Sequence, residues 1–348
     1  MYGDEMMRRF RVALSHDVRH RGNAVFDLSR LTKDPGIEID FVEPEDGIMP
    51  ASILADHDAL ILLFPRFARE SIPTSRRLGL IAKVGVGYDN VDVPACTDAG
   101  IALVTAPDGV RRPVAVATIT FLLALSGRLF VKDNLTRQGP SGFDQRLDHN
   151  GIGLVGRVLG SVGIGNIGAE VFRLAKPFGM RFIAHDPYVD PALTAELGIT
   201  LVDLDTVFRE SDFVTLNCPL TQETRHLVDA GRLGMMKPTA FLINCARGPV
   251  VDQRALTNIL QERRIAGAAL DVFDPEPPHS DDPILKLDNV IVTPHALCWT
   301  DQMFEGIGAR DVQAVLELSR GQVPAGIVNR AVLDSPIWQQ RLARYAAV

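Results

Sequence analysis

The sequence predicts an α/β protein built from two doubly wound parallel sheets with a cleft between them. The chain has 348 residues, more than the roughly 250–300 over which a single hydrophobic core grows, so two cores are expected. Hydrophobic residues make up 46% and charged residues 23%, as in ordinary globular proteins. Short apolar runs alternate with helical patterns in two separate series, and this rhythm is typical of βαβ units.

The first series lies in residues 10–105. Its strand candidates are FRVALS, IEIDFV, ALILLF, LIAKVGV and IALV. The alternation then stops at residues 113–137, which predict one long helix with Pro113 at its start, where a missing N–H costs nothing. Residues 138–153 are rich in Gly, Ser, Asp and Asn and are predicted to be a loop.

The second series starts at Arg157. Its strand candidates are RVLGSVGIG, MRFIAHD, ITLVD, DFVTLN, TAFLIN, AGAALDVF and NVIVTP. A helix at about 301–320 and a tail containing VPAGIVN follow. Because this end is too short for a third domain, we expect it to pack on the first sheet. The predicted domains are therefore residues 1–107 with 300–348, and residues 108–299.

Composition excludes several classes of protein. A net charge of −7 disfavours a nucleic-acid partner, whose phosphates need a basic face. The four cysteines show no CxxC pair and no metal-ligand spacing, so we predict a reducing compartment and no metal. The amino terminus lacks the apolar run of a signal peptide, and the longest apolar stretch, residues 114–125, is shorter than the ~20 residues of a membrane span. The expectation is a soluble, cytoplasmic protein with no membrane partner.

Two glycine patterns of the form GxGxxG compete as a dinucleotide fingerprint. Residues 151–156 follow the polar segment RLDHN and lack an acidic residue at the expected distance, so they are interpreted as a connector. Residues 163–168 follow the strand candidate RVLGSV and open the helical pattern AEVFRLAKPFG. Gly163, Gly165 and Gly168 suit a tight turn, a close approach to a pyrophosphate and close helix–strand packing. With these glycines, Asn166 and Ile167 are predicted cofactor contacts.

Asp186 lies eighteen residues after Gly168, at the end of the next strand candidate. A carboxylate at this position would accept hydrogen bonds from the adenosine ribose and would repel a 2′-phosphate. The predicted cofactor is therefore NAD, with NADP less favoured. His185, beside the acid, tempers that preference.

Three polar side chains follow apolar runs of the second series. Arg247 follows FLINCA, Glu276 follows LDVFDP, and His295 follows VIVTP. Ligands of doubly wound sheets bind outside the carboxyl ends of the strands, so we expect these three to converge. His226 is compatible with either a buried or an exposed position. The histidines of polar stretches are predicted to be solvated: His16, His20, His57, His149 and His279.

Arginine, glutamate and histidine together suit one reaction. Arginine presents a planar fork that matches a carboxylate and an adjacent oxygen. Histidine exchanges a proton near neutral pH, and a neighbouring carboxylate fixes its tautomer and favours its protonated form. Beside a nicotinamide, Arg247 would hold a 2-keto acid, His295 would protonate the nascent alkoxide, and Glu276 would orient His295. The predicted reaction is the NADH-dependent reduction of a 2-keto acid, or in reverse the oxidation of a 2-hydroxy acid.

These motifs resemble those of the D-isomer-specific 2-hydroxyacid dehydrogenases. VGRVLGSVGIGNIG, HDPY, NCPLTQETRHLV, FLINCARGPVVD, ALDVFDPEP and VTPH occur in the order and spacing of that family. The resemblance covers residues 60–329 and is densest over 156–295. It implies a flavodoxin-like substrate domain, a Rossmann domain that binds NAD, catalysis by the three residues above, and a homodimer built largely on the cofactor domain.

The resemblance also implies further site residues. In KVGVGYDN, the backbone N–H groups of Val84, Gly85 and Val86 would receive the substrate carboxylate. Asp271 would meet the carboxamide of the nicotinamide. Other implied cofactor contacts are Cys218, Pro219, Cys245 and Ala246.

The sequence departs from the family at several points and leaves two alternatives open. Residues 114–116 read Val-Ala-Val where many members have Val-Ala-Glu, and Arg111 and Arg112 precede them. Trp299 could cap the pocket or simply pack, and Arg66 could meet a second anionic group or be solvated. The particular keto acid therefore stays open. Relatives that act as nucleotide-sensing transcriptional corepressors retain the same three residues, so a binding protein is the alternative to an enzyme.

Overall fold

The computed structural model describes residues 9–346. The chain divides into two compact units. The first takes the described residues up to Val110 and from Thr300 onward, and the second is Arg111–Trp299. Each unit contains a parallel sheet with helices packed against it. The predicted α/β class is therefore confirmed.

The first unit is built on a five-stranded parallel sheet. Its order is β4-β1-β5-β6-β7, the flavodoxin-like arrangement of a doubly wound sheet. A short antiparallel hairpin, β2 with β3, lies outside the sheet and was not predicted. The strands are β1 (Phe10–Ser15), β2 (Arg19–His20), β3 (Asn23–Ala24), β4 (Ile37–Val42), β5 (Ala59–Leu62), β6 (Leu80–Lys83) and β7 (Ala102–Thr105).

The chain after residue 319 returns to this sheet. Ile327 forms an antiparallel bridge with Val104. The Asn329 side chain accepts a hydrogen bond from Leu103 N at 2.8 Å, and its amide donates to the Ile101 carbonyl at 2.9 Å. A terminal helix that was not predicted completes the unit. The helices here are Ser29–Thr32, Ala51–Leu54, Val93–Asp98, Asp301–Ser319 and Pro336–Ala346, with 3₁₀ turns His16–Val18, Arg69–Ser71 and Arg330–Asp334.

The second unit is built on a seven-stranded parallel sheet. Its order is β10-β9-β8-β11-β12-β13-β14, which extends the Rossmann order by one strand. All seven strand candidates of the second series are confirmed. The strands are β8 (Val158–Val162), β9 (Arg181–His185), β10 (Ile199–Leu201), β11 (Phe213–Leu216), β12 (Phe241–Asn244), β13 (Gly267–Leu270) and β14 (Val290–Val292).

Helices cover this second sheet, and buried aliphatic and aromatic side chains fill both interfaces. Helix Pro107–Gly127 starts in the first unit and continues into the second. It is long and apolar enough to cross a membrane by composition, but more than half of it is buried in the protein, as in a core helix. The other helices are Leu129–Arg137, Pro140–Asp144, Asn166–Ala175, Pro191–Leu197, Leu204–Glu210, Ala230–Met235 and Gln253–Gln261, with 3₁₀ turns Arg146–His149, Lys176–Phe178, Gly248–Val250 and Pro283–Lys286.

The prediction of one helix over residues 113–137 is wrong. Helix Pro107–Gly127 starts earlier, so Pro113 lies inside it and removes one backbone donor. Arg128 then adopts a left-handed conformation, with φ 52°, which interrupts the i to i−4 hydrogen bonds and separates the second helix, Leu129–Arg137.

Residues 138–153 are also more ordered than the predicted loop. They contain helix Pro140–Asp144 and the 3₁₀ turn Arg146–His149. Pro140 occupies the first helical position, where its fixed φ favours the helix. The glycine and polar content therefore marked the ends of short helices rather than irregular chain.

The prediction that His57 is solvated is wrong, because only 4% of this residue is exposed. Its Nδ1 lies 2.9 Å from the Ile53 carbonyl, and its Nε2 lies 3.1 Å from Asp40 Oδ2. Asp40 is distant in sequence, so the polar residues around His57 gave no sign of this contact. His226, by contrast, is exposed.

Candidate active site

The second glycine pattern forms the turn between β8 and helix Asn166–Ala175. Gly163 has a φ of 92°, and a Cβ on it would lie 2.9 Å from the backbone of Asn217. A Cβ on Gly168 would lie 2.6 Å from the Gly163 carbonyl, so helix and strand pack closely there. Gly165 faces open space and precedes the helix. An anion can therefore approach its backbone and the helix N–H groups.

Asp186 is tied to this glycine turn. Its Oδ2 accepts a hydrogen bond from Ile164 N at 2.7 Å, and its Oδ1 accepts one from Tyr188 N at 2.9 Å. Each carboxylate oxygen keeps a second lone pair that can accept a hydroxyl. The turn, the open Gly165 and the adjacent acid thus fit the pyrophosphate and ribose of a dinucleotide.

The first glycine pattern has a different environment. Ile152 N donates to the Ser126 carbonyl at 2.9 Å, and Ser126 Oγ donates to the Ile152 carbonyl at 2.7 Å. A Cβ on Gly151 would lie 2.4 Å from the Ser126 carbonyl oxygen. Gly151 lets the chain pack against the end of a helix, which agrees with the interpretation of this pattern as a connector.

Three neighbouring strands bring the polar trio together. Strands β12, β13 and β14 lie side by side and parallel, with their last residues in register. Arg247 follows β12, Glu276 follows β13 and His295 follows β14. All three side chains therefore leave the sheet at its carboxyl edge, where doubly wound sheets bind their ligands.

Glu276 and His295 form a hydrogen-bonded pair. Glu276 Oε1 lies 2.5 Å from His295 Nδ1, and Glu276 Oε2 accepts a hydrogen bond from Phe273 N at 3.1 Å. Burial raises the pKa of Glu276, but the bond and charge of His295, the Phe273 amide and the charge of Arg247 outweigh it and hold the pKa below its ordinary value. Glu276 is therefore ionised at neutral pH, and Nε2 is the imidazole nitrogen that can exchange a proton with a substrate.

Asp271 anchors the loop that carries His295. This carboxylate is 3% exposed. Its Oδ1 accepts hydrogen bonds from Thr293 Oγ1 at 2.6 Å, Ala296 N at 3.1 Å and Leu297 N at 3.2 Å. The donors lie on both sides of His295 in the chain, so Asp271 fixes the path of the loop.

Arg247 stands in a turn closed by Asn244, the last residue of β12. Asn244 Oδ1 accepts from Ala246 N at 3.0 Å, and its amide donates to the Arg247 carbonyl at 2.9 Å. Gly248 packs so tightly that a Cβ would lie 1.8 Å from the Phe273 carbonyl oxygen. The arginine turn is thus pressed against the segment that leads from β13 to Glu276.

The loop after β6 offers fewer backbone N–H groups to an anion than the sequence predicted. Val84 N donates to the Leu62 carbonyl at 2.9 Å, so this N–H belongs to the sheet and is not available to a substrate. Gly85 has a φ of 101°, and its carbonyl accepts a hydrogen bond from Ala106 N at 2.8 Å. Within the part of the chain that the structure describes, the N–H groups of Gly85 and Val86 have no acceptor.

Cys218 and Cys245, which the sequence predicted as cofactor contacts, are not activated as nucleophiles. Cys218 and Pro219 follow β11, and a Cβ on Gly163 would lie 3.0 Å from Cys218 N. Burial raises the pKa of the Cys218 thiol to about 11, and burial likewise raises the pKa of Cys245. Both thiols are therefore protonated at neutral pH, when they are poor nucleophiles.

The residues singled out as departures from the family pattern differ in their pairing and exposure. Arg112 pairs with Glu170 of helix Asn166–Ala175, with Nη1 2.6 Å from Oε1. Arg66 is exposed, and Trp299 is 41% exposed.

Sequence reasoning missed the residues that brace the trio. These residues are Thr293, Asn244 and Gln253. The Gln253 side chain accepts a hydrogen bond from Asp274 N at 2.9 Å and donates one to Asp282 Oδ2 at 2.8 Å. These two bonds hold the loop of Glu276. The one sequence signal was Asn244, a polar amide that ends an otherwise apolar strand.

Comparison with known proteins now places the chain in a family. Residues 119–296, half of the chain, match the family described as D-isomer specific 2-hydroxyacid dehydrogenase, NAD binding domain. The chain belongs to this family. A glyoxylate reductase from Korarchaeum cryptofilum is 39% identical over 280 residues, which are 80% of this chain and 84% of the relative.

Other members of the family give the same result. A D-3-phosphoglycerate dehydrogenase from Methanocaldococcus jannaschii is 37% identical over 84% of this chain, although the match spans only 56% of that relative. The crystal structure of a D-lactate dehydrogenase from Aquifex aeolicus, complexed with NAD and lactic acid, has 29% identity and a TM-score of 0.79 over 91% of this chain and 99% of that one. The protein is an NAD-dependent D-2-hydroxyacid dehydrogenase.

Proposed function

We propose that the enzyme reduces a small 2-keto acid to the D-2-hydroxy acid, with Arg247, Glu276 and His295 as its catalytic residues. One observation carries the proposal. The Glu276 carboxylate lies 2.5 Å from His295 Nδ1, at the same sheet edge as Arg247. This is the arrangement of a proton donor oriented by an acid beside a carboxylate-binding cation.

Each residue has one task in the proposed reaction. Arg247 binds the carboxylate and keto oxygen of the substrate through its guanidinium fork, and the N–H groups of Gly85 and Val86 receive the carboxylate. NADH, when bound, supplies the hydride. His295 donates a proton from Nε2 to the oxygen that becomes the hydroxyl, and ionised Glu276 stabilises the imidazolium before that transfer. The reverse steps oxidise a 2-hydroxy acid.

The proposed cofactor contacts follow from the second unit. The residues of the glycine turn hold the pyrophosphate and Asp186 holds the adenosine ribose, which favours NAD over NADP. Asp271 meets the carboxamide through Oδ2, because its Oδ1 already holds the His295 loop. The remaining proposed contacts are Cys218, Pro219, Cys245 and Ala246.

The names of the relatives suggest the first substrates to assay. We propose glyoxylate and hydroxypyruvate as candidates, since glyoxylate reductases are among the relatives. A panel of keto acids that differ in side-chain size and charge, with NADH and NADPH in parallel, tests the proposal through loss of the reduced cofactor's absorbance. NADH oxidation with at least one keto acid is expected. Binding of NADH without any turnover would instead support the corepressor-type alternative.

Arg247→Ala tests the assignment of the substrate-binding cation. We expect kcat/KM to fall about a thousandfold, because a charge-paired guanidinium contributes several kcal/mol. The dissociation constant of NADH, measured by fluorescence titration, should change less than about threefold. Loss of NADH binding with retained affinity for keto acid would contradict the role.

We also propose that the enzyme works in the cytoplasm as a homodimer built on the second unit. Large apolar side chains, each 43% or more exposed, lie on the consecutive helices and turns of residues 107–149: Val116, Leu123, Leu129, Phe130, Phe143 and Leu147. Clusters of exposed apolar side chains are typical of interfaces. A second copy of the chain would cover them.

A further inference from the structure

Two buried charged residues of the first unit have no role in the steps above. Lys83 is the last residue of β6, directly before residues 84–86, and it is 6% exposed. Asp311 lies in helix Asp301–Ser319, which packs on β6, and it is fully buried. Among the described residues, neither Asp311 carboxylate oxygen has a hydrogen-bond partner. Burial of two such charges is costly and calls for a function.

Lys83 contacts the backbone of the loop that is proposed to bind the substrate carboxylate. Its Nζ donates to the Val84 carbonyl at 3.1 Å. In a planar trans peptide the C=O and N–H groups point in opposite directions, so the N–H of Gly85 points away from Lys83. The Gly85 carbonyl is held in turn by Ala106 N, which fixes the next N–H, that of Val86. Hydrogen bonds to the Val84 and Gly85 carbonyls therefore orient both N–H groups that are proposed to bind the substrate carboxylate.

Lys83 also contributes positive charge at this loop, and Asp311 opposes it. In a buried setting the effective dielectric constant is low, so a charge next to the loop acts strongly on an anion bound there. Burial raises the pKa of Asp311 to about 7, against the opposing charges of Lys83 and Arg310. Asp311 is consequently ionised mainly above neutral pH, where it cancels part of the charge that Lys83 presents.

We propose that Lys83 is a positioning residue that strengthens binding of the substrate carboxylate, and that Asp311 weakens this binding by balancing the Lys83 charge. The inference rests on the proposed function, because it assigns residues 84–86 to the carboxylate. The ligand class is a 2-keto monocarboxylate or an analogue such as oxamate. The expected signature is a pair of opposite effects from two neutralising substitutions.

Lys83→Met and Asp311→Asn test the proposal against Lys237→Met, a control that removes a partly exposed lysine paired with Asp212. KM, kcat and the dissociation constant of oxamate in the presence of NADH are measured about one pH unit above 7, where Asp311 is mostly ionised. Lys83→Met should raise KM and the oxamate constant about tenfold, with a smaller change in kcat. Asp311→Asn should lower both about threefold. The control should change neither.

Opposite effects support the proposal, because a purely structural disturbance of the loop would weaken binding in both variants. Weaker binding in both, or no change in either, would overturn it. If Lys83→Met does not fold, Asp311→Asn alone decides: tighter oxamate binding supports the proposal, and unchanged or weaker binding overturns it. Failure of the wild-type enzyme to reduce any keto acid would count against the proposed function instead, since the oxamate titration requires no turnover.

Discussion

His295 has a backbone conformation that residues other than glycine rarely adopt. Its φ is 52°, which costs on the order of 1 kcal/mol or more for a residue with a Cβ. The hydrogen bonds that Asp271 accepts from Thr293, Ala296 and Leu297 stabilise this conformation, and the 2.5 Å contact with Glu276 orients the ring. Strain of this kind at a reactive group is expected where the surrounding structure fixes its position.

The residues proposed as catalytic were easier to predict than those that hold them in place. Arg247, Glu276 and His295 follow apolar strands, and parallel strand ends meet at one edge, so the sequence predicts their proximity. Thr293 and Gln253 act through hydrogen bonds between loops whose paths depend on tertiary packing, and no local pattern reveals them. The predicted availability of the Val84 N–H was wrong for the same reason, because its acceptor lies on the neighbouring strand.

At the scale of elements, buried strands were predicted better than helices. A fully buried parallel strand requires a nearly continuous apolar run, as in residues 59–62. Helix ends depend on caps and backbone conformations, and the left-handed Arg128 shows no sign in the sequence. The terminal helix Pro336–Ala346 was missed because its buried face includes Arg341, a charged residue that contacts the carbonyls of Arg76, Ala99 and Gly100.

The terminal helix is joined to the first sheet through one buried acid. Asp58, just before β5, accepts hydrogen bonds from Arg77 Nε at 2.9 Å and Nη2 at 2.6 Å, and from Arg11 N at 2.8 Å. Tyr345 of the terminal helix brings its hydroxyl within 2.9 Å of the same carboxylate. Asp58 and Arg77 are 2% and 9% exposed, so neither can exchange its partner for water.

Asp58→Ala should therefore destabilise the protein by about 3–5 kcal/mol, since it leaves a buried guanidinium unpaired. The free energy of unfolding in urea, followed by circular dichroism, measures the loss. Asp98→Ala is the matched control in the same unit, because its pair with Arg69 is exposed and should contribute less than about 1 kcal/mol. Equal effects of the two substitutions would contradict the structural role given to Asp58.

At the scale of the whole molecule, the proposed site residues are distributed over two units, each built on a doubly wound sheet. The glycine turn, Asp186 and the three proposed catalytic residues all belong to the second unit, whereas residues 84–86, proposed to bind the substrate carboxylate, belong to the first. Each group lies at the carboxyl edge of its own sheet, where that fold presents open backbone and polar side chains. The general rule that ligands bind at the carboxyl edge of such sheets therefore predicted the location of the candidate site. The identity of the keto acid depends on side chains that this rule does not specify.

The exposed apolar residues of the second unit lead to a prediction about assembly. Light scattering should give a mass of two chains for the wild type. Leu129→Asp with Phe130→Asp should yield a monomer, because two charges would be buried without partners. Val155→Asp, at a still more exposed apolar position outside these helices, should leave the dimer intact. A monomeric wild type would contradict the proposed interface.

The central claim is that Glu276 acts through His295, and the pH dependence of Glu276→Gln tests it most directly. The low pKa of Glu276 keeps it ionised throughout the neutral range, and it loses its charge only as the pH falls through that value. Without the carboxylate, the imidazolium loses its stabilising partner, so kcat/KM for keto-acid reduction should be lower at neutral pH, and the acid fall that follows protonation of Glu276 in the wild type should be absent. In His295→Gln, where the proton donor is absent, adding Glu276→Gln should cause little further loss. An unchanged pH profile, with losses that multiply in the double variant, would contradict the account.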